Sequence, residues 1–233
     1  MKRLQAIRPV FAPGVDADVP VITHRVHFEW HPGLAPERQR LCIDSLHAAA
    51  AGVLPPGHRV MEVSSRSREW AGRCLSAFNL SIRLPGVGTV PLESAYQCAK
   101  VFADGGPFPG WLDLPPASLR RRLSGFDSRS LRGFSLLGVE WPLEPPTLFY
   151  DWLYAHSVAA RPDLLELASR QHAFTDIAFN PKRSLACQAM ALARAVFLHR
   201  RGLLDAALAS PEAFCSLGFP AAESDPHQPE LPF

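Results

Sequence analysis

Apolar and polar positions change period several times along the chain, and one stretch stands apart. Residues 91–102, PLESAYQCAKVF, predict a helix that is apolar round most of its circumference. Plotted at about 100° per residue, Glu93, Gln97 and Lys100 fall within roughly 60° of one another. Leu92, Ala95, Tyr96, Cys98, Ala99, Val101 and Phe102 fill the remainder. Burying such a helix strips water from an acid, an amide and a base, which is costly unless they pair or line a pocket. A pocket resolves the conflict, so this stripe is the first candidate for chemistry. Pro91 suits a first helical turn, and Asp104-Gly105-Gly106-Pro107 is a stop.

The rest of the pattern gives a mixed chain. Residues 19–30 alternate, with Ile22, Val26, Phe28 and Trp30 on one side and Thr23, Arg25, His27 and Glu29 on the other, as in a strand. Residues 36–51 predict a helix with Leu41, Ser45 and Ala48 on one face, closed by the Pro55-Pro56-Gly57 break. A short strand is predicted at 59–64, an irregular stretch at 65–73, and an extended segment at 75–84 running into a turn at 85–88. Residues 105–116 read as a Gly/Pro-rich loop and 117–123 as a short helix. Further helices are predicted from Pro145-Pro146-Thr147 to about residue 159, over 162–171, over 184–200, and over 202–217 with a break at Pro211. Residues 175–182 read as a loop. No internal repeat or linker divides the chain. The prediction is an α+β fold: one α-rich domain with a small antiparallel sheet. Residues 1–58 form an N-terminal extension of strand and helix packed on a main domain at 59–218, and 219–233 form a polar, Pro-rich, disordered tail.

Composition narrows the classes. The chain has 233 residues, 47% of them hydrophobic, enough for an ordinary buried core. No apolar run reaches membrane-spanning length and Met1-Lys2-Arg3 precedes no signal-type segment, so a soluble cytoplasmic protein is expected. Five widely spaced cysteines without a CxxC suggest free thiols, neither a disulfide framework nor a zinc site. His24 and His27 lie on opposite faces of their strand, so no metal is expected there. Without a GxSxG, GxGxxG or P-loop motif, neither a serine hydrolase nor a bound nucleotide cofactor is predicted.

The net charge of +2 does not by itself mark a nucleic-acid binder. Its distribution says more: Arg120, Arg121, Arg122, Arg129 and Arg132 face one acid, Asp127. That is either a solvated surface or a phosphate contact. Lysine is scarce, three against 21 arginines. A lysine kept in an apolar helix therefore invites a role that guanidinium cannot fill, such as a nucleophilic amine.

Four segments in series carry a resemblance. They are Leu75-Ser-Ala-Phe-Asn-Leu80, Pro91-Leu-Glu-Ser-Ala-Tyr-Gln-Cys-Ala-Lys100, Phe149-Tyr-Asp-Trp-Leu153 and Phe174-Thr-Asp-Ile-Ala-Phe-Asn-Pro181. Together they resemble the NADAR, or YbiA-like, N-glycosidase family. Arg8-Pro-Val-Phe11, His27-Phe-Glu-Trp-His-Pro-Gly33 and Met61-Glu-Val-Ser-Ser65 look like the NADAR antitoxins encoded beside DarT-type toxins. The resemblance implies an enzyme that hydrolyses N-glycosidic bonds of ribosylated amines. In that branch it removes ADP-ribose from guanine in DNA, without a cofactor, and so reverses the toxin. It implies Glu93 as the acid, Lys100 as the helix lysine, Trp152 as the aromatic residue and Asp176 as the second carboxylate, with Gln97 and Asn180 lining the pocket. Val90 and Ser94 stand where generic members carry tryptophan and histidine. Ala178-Phe179-Asn180-Pro181 replaces a glycine-rich run.

The chemistry agrees with those residue types. Breaking a ribose–nitrogen bond leaves positive charge on the anomeric carbon, which a carboxylate stabilises while an acid helps the amine depart. Glu93 and Asp176 are the candidate pair, with a cap as the other reading of Asp176. Lys100 offers attack on the sugar through a Schiff base. Trp152 is either a base-stacking platform or core. Ser76 and Asn79 either bind sugar or phosphate or shape a turn. Arg120 and Arg121 are candidates for pyrophosphate or the DNA backbone. Two other functions stay open: N-glycosidase action on a free ribosylamino metabolite, and a non-catalytic module that binds ADP-ribose or the toxin.

Overall fold

The computed structural model describes residues 4–181 and 184–220. The chain begins with β1 (Gln5–Pro13) and β2 (Val21–Glu29), then α1 (Pro36–Ala50), β3 (Val60–Glu62) and α2 (Trp70–Cys74). Next come β4 (Ser81–Leu84), β5 (Gly88–Pro91), α3 (Leu92–Cys98), β6 (Lys100–Phe102), α4 (Pro116–Leu123), β7 (Leu131–Leu136) and β8 (Val139–Trp141). The last part holds α5 (Leu148–Ala159), α6 (Pro162–Ser169), β9 (Ala173–Thr175), α7 (Gln188–Arg200), α8 (Leu204–Leu208) and α9 (Pro211–Gly218). This is the expected α+β fold. Its β-structure is divided among three small sheets, of which one is mixed.

The largest sheet has the order β2-β1-β9-β3. β1 and β2 pair antiparallel along their full length, from Gln5 opposite Glu29 to Pro13 opposite Val21. Gly14 begins their connection because a Cβ there would collide with the Val19 carbonyl. β9 pairs antiparallel with β1 at Phe11–Phe174 and parallel with β3, Met61 facing Phe174 and Glu62 facing Thr175. The sheet therefore joins strands from both sides of residue 58.

Helix α1 covers one sheet face and buries Cys42, Ile43, Leu46 and Ala50 against Val10, Ala12, Val26 and Phe28. The face that holds Leu41, Ser45 and Ala48 is turned away from the sheet: Leu41 and Ala48 are exposed and Ser45 is half-buried. The more apolar stripe is the buried one, and Ser45 Oγ accepts the Glu29 N–H at 3.1 Å. Phe11, Met61 and Phe174 belong to the larger core, which α5, α6 and α7 complete.

One correction bears on the candidate stripe. The helix predicted over 91–102 ends at Cys98, and Lys100 opens strand β6. Residues 100–102 pair with β7, which continues through a hairpin into β8. That hairpin lies mostly beyond the arginine cluster, in a stretch for which the sequence pattern predicts no element. Local propensity lost to cross-strand pairing there: Phe134 faces both Lys100 and Trp141, which bury an aromatic surface against α5. Part of the segment predicted extended at 75–84 is a turn, closed by Asn79 N–H donating to Ser76 O at 2.8 Å. The stretch 65–73, read as irregular, contains the start of α2, and β9 lies partly in the predicted loop. Among the described residues no helix is long and apolar enough to cross a membrane. The predicted disordered tail lies outside them from residue 221 onward.

Candidate functional site

Two groups of polar side chains converge from different parts of the fold. The first is the stripe. Glu93 and Gln97 stand one turn apart on α3, and Gln97 Nε2 donates to Glu93 Oε1 at 2.7 Å. Lys100 has left the helix, yet its ammonium turns back over the Tyr96 ring, 5.4 Å from the centroid. Glu93, Tyr96, Gln97 and Lys100 are half-buried, whereas Leu92, Ser94, Ala95, Cys98 and Ala99 are fully buried. Burial pulls the Lys100 amine below its ordinary range, and the Glu93 charge opposes that.

The second group surrounds Asp176, which follows β9 and is 9% exposed. Its Oδ1 accepts Ala178 N–H at 3.0 Å, and its Oδ2 accepts Gln188 Nε2 at 2.9 Å. Gln188 is the first residue of α7, and its Oε1 accepts the Ala77 N–H at 2.7 Å and the Ser76 hydroxyl at 3.4 Å. Burial pushes the Asp176 carboxyl up to about 6. Hydrogen bonds from Gln188, Ala178 and Phe179, and the charge of Arg8, hold it from going further.

Tyr150 links the groups. It is buried on α5, and its ring meets Tyr96 edge-on at 5.1 Å. Burial raises its hydroxyl pKa well above the ordinary value, and the charges of both Glu93 and Asp176 raise it further. Lys100 thus lies against a pair of tyrosine rings, and the hydroxyl of the second, Tyr150, feels the charges of Glu93 and Asp176. An acid, an amine and a second carboxyl can donate a proton, attack an electrophilic carbon and stabilise a cation. The model of the DarT1-associated NADAR antitoxin family matches residues 6–228. The chain belongs to this family. Comparison with curated proteins gives no match.

The other candidate residues of this NADAR protein are placed as follows. Ser76 is fully buried and joined to Asp176 only through Gln188. Asn79 is exposed, its Nδ2 donating to the Arg73 carbonyl at 2.7 Å. The half-buried Asn180 lies in the loop after Asp176, and its carbonyl accepts Ser184 N–H at 3.1 Å. Trp152 is half-buried, with Trp141 at 4.7 Å and His156 at 4.2 Å between ring centroids. Its Nε1 is buried without a hydrogen-bond partner. Arg120 and Arg121 are exposed on α4, which packs beside α3, and Arg122 lies over Trp111 at 5.2 Å. Arg132 lines an open cleft of about 440 Å³ with Val101, Phe134, Glu140 and Trp141, on the strands next to Lys100. Among the described residues no cluster of His, Cys, Asp and Glu is placed to hold a metal ion.

Sequence reasoning passed over Glu62, Gln188, Tyr96 and Tyr150 as parts of the site. Glu62 is 1% exposed and holds both neighbours of Asp176. Its Oε2 accepts the Thr175 hydroxyl at 2.6 Å and its Oε1 the Ile177 N–H at 2.9 Å, with the Ser64 hydroxyl at 2.6 Å. His47 Nε2 lies 2.9 Å from Thr175 Oγ1 and extends the chain of contacts. Burial, then the charge of Asp176, push Glu62 up to about 7. A carboxylate inside the apolar-flanked run Val60-Met61-Glu62-Val63 was the available signal. Gln188 carried none beyond being an amide at the head of an Ala-rich helix.

Proposed function

We propose that this NADAR protein hydrolyses the N-glycosidic bond joining ADP-ribose to guanine in DNA, and so counteracts a cognate DarT-type ADP-ribosyltransferase in the cytoplasm. Its membership of the DarT1-associated antitoxin family supports the antitoxin role. The observation that supports the chemistry is that Glu93 and Lys100 are both half-buried, with Gln97 bonded to Glu93 and the Lys100 ammonium over Tyr96, whose ring meets Tyr150.

In this reading burial keeps a fraction of Lys100 neutral. The amine adds to the anomeric carbon as the carbon–guanine bond breaks, and Glu93 delivers the proton that the departing guanine amine takes up. Asp176 stabilises the positive charge on the sugar. A proton of the resulting ammonium passes to the ring oxygen as the C1′–O4′ bond opens, which gives the sugar–lysine iminium. Water then adds to its carbon, and the protons of that water return to Glu93 and to the amine. The 4′-hydroxyl recloses the ring once the amine has left, which releases ADP-ribose and restores the enzyme. Gln97 holds Glu93 in place, and Gln188 holds Asp176.

The test is turnover of an oligonucleotide carrying ADP-ribosylated guanine. Glu93→Gln and Lys100→Ala are each expected to lose activity by a factor on the order of 10² to 10⁴. Near-normal turnover by both variants refutes the assignment. Borohydride added during turnover is expected to fix a sugar adduct on Lys100, read as a mass increase absent from Lys100→Ala. The same enzyme offered a free ADP-ribosylated nucleotide separates action on DNA from action on a small metabolite.

A further inference from the structure

The loop after β6 builds a second feature, which the mechanism above does not use. It is anchored to the turn that carries Lys100. Phe102 N–H donates to the Gly105 carbonyl and Phe108 N–H to the Cys98 carbonyl, both at 2.7 Å. Gly106 passes so close that a Cβ there would strike the Lys100 carbonyl oxygen. Phe108 then stacks on Trp111, with ring centroids 4.2 Å apart and planes within 6° of parallel. Phe126, just past α4, stacks on Phe102 at 4.9 Å and meets Phe108 at 5.1 Å. The end of α4 is thereby pinned beside β6, and α4 also packs on α3.

This aromatic cluster is edged with positive charge. Arg120, Arg121 and Arg122 lie in the last turn of α4, and all three are exposed. The Arg122 guanidinium sits over the half-buried Trp111 ring, 5.2 Å from its centroid. Cations suit the C-terminal end of a helix, which accounts for part of this charge. It does not account for the charge being left unbalanced. Between residues 117 and 133 the one acid is Asp127, and Arg129 occupies it. Arg129 donates to Asp127 Oδ1 from its backbone N–H at 3.0 Å and to Oδ2 from Nη2 at 3.0 Å. Among the described residues no ion pair engages Arg120, Arg121 or Arg122, and the loop acids Asp104 and Asp113 form none. Trp111 restrains the Arg122 guanidinium while its N–H donors keep no protein acceptor. Such a fork matches two oxygens of a phosphate, where lysine would offer only a point charge. An open surface suits a polymer that crosses it, whereas a small diphosphate is held in a concave site.

We propose that Arg122, held by Trp111 and flanked by Arg120 and Arg121, binds the phosphate backbone of the DNA strand beside the modified guanine. The inference rests on the glycosidase reading for the place of that guanine. It deepens the reading by assigning the surface that takes the flanking strand. Binding of an unmodified single-stranded oligonucleotide is measured over a salt series for wild type, Arg122→Ala and Arg129→Ala, after thermal melts establish that each is folded. Arg129→Ala is the comparison because it removes the same charge from the same segment, but from an arginine already bonded to Asp127. Arg122→Ala is expected to weaken binding roughly tenfold and to lower the salt slope by about 0.7, the share of one phosphate on a single strand. Arg129→Ala is expected to stay within about twofold of wild type. In turnover, Arg122→Ala should raise KM for the modified oligonucleotide with little change in kcat, and leave a free ADP-ribosylated nucleotide unaffected. Equal losses of DNA binding in the two variants reduce the patch to diffuse charge and overturn the inference. So does a wild-type protein that does not bind the oligonucleotide, or an equal rise in KM for the free nucleotide. A wild-type protein that binds DNA but does not turn over the modified guanine overturns the glycosidase reading and leaves the binding comparison standing.

Discussion

Glu62 makes a prediction that can be worked through in numbers. Its folded pKa of about 7 lies above the ordinary 4.5, so the folded state disfavours its ionised form. A raised carboxyl contributes its full stability below pH 4.5, and that contribution drains away as pH rises to about 7. At about 1.4 kcal/mol per pH unit, the cost at pH 8 is on the order of 3 kcal/mol. Glu62→Gln removes the titration while keeping the shape. Its Oε1 still accepts from Ser64 and Ile177. Its Nε2 donates to Thr175 Oγ1, whose hydroxyl then turns to His47 Nε2. That reversal needs His47 Nε2 free of a proton, and burial already pulls this imidazole down to about 4. Urea unfolding of wild type and variant is measured at pH 5 and pH 8, and the difference between the proteins isolates Glu62 from other titrating groups. The variant is expected to match wild type within about 1 kcal/mol at pH 5 and to exceed it by about 2–3 kcal/mol at pH 8. A gap between the proteins that is the same at both pH values would refute the reasoning, whatever its size.

Other expectations follow from the same structure. Because burial raises Asp176 to about 6, the rate should fall in acid with a midpoint near that value, and Asp176→Asn should abolish the limb along with most activity; a profile flat between pH 5 and 8 contradicts this. Asp151→Ala should cost about 3–5 kcal/mol in urea unfolding, since it strands Arg194 after removing a buried ion pair of 2.9 Å. Gly72→Ala should cost roughly 1–3 kcal/mol or prevent accumulation of folded protein, because the new methyl collides with the Glu62 carbonyl and Ser67 Oγ. Lys100→Arg should keep the charge over Tyr96 and still fail in borohydride trapping, since guanidinium does not form the iminium.

Local patterns were legible where burial follows one period. The limits of α1, α5 and α6 follow proline at or before the first turn and an apolar stripe after it. The half-buried stripe of Glu93, Gln97 and Lys100 was visible as a gap in an apolar surface, even though the last of these sits on a strand. The reading of a helix through residue 102 failed because β7 and β8 compete for Lys100-Val101-Phe102, and no local window contains that competitor. β9 was missed for a related reason: a strand of that length, paired on both edges by distant segments, carries no period of its own. Around the site, Glu62 and Gln188 act by holding Asp176, so their meaning depends on contacts that join residues 62, 176 and 188 only after folding.

The position of β9 in the largest sheet also sets an order of assembly. A ribosome delivers β1, β2, α1 and β3 early, but β1 and β3 do not touch as neighbouring strands; β9 stands between them. Until most of the chain has been synthesised, β1 and β3 each keep a bare edge with no partner to zip against. Premature termination before residue 175 therefore removes the strand that closes the sheet. A fragment that stops short of β9 leaves both edges open and is expected to aggregate, whereas the full-length chain covers them.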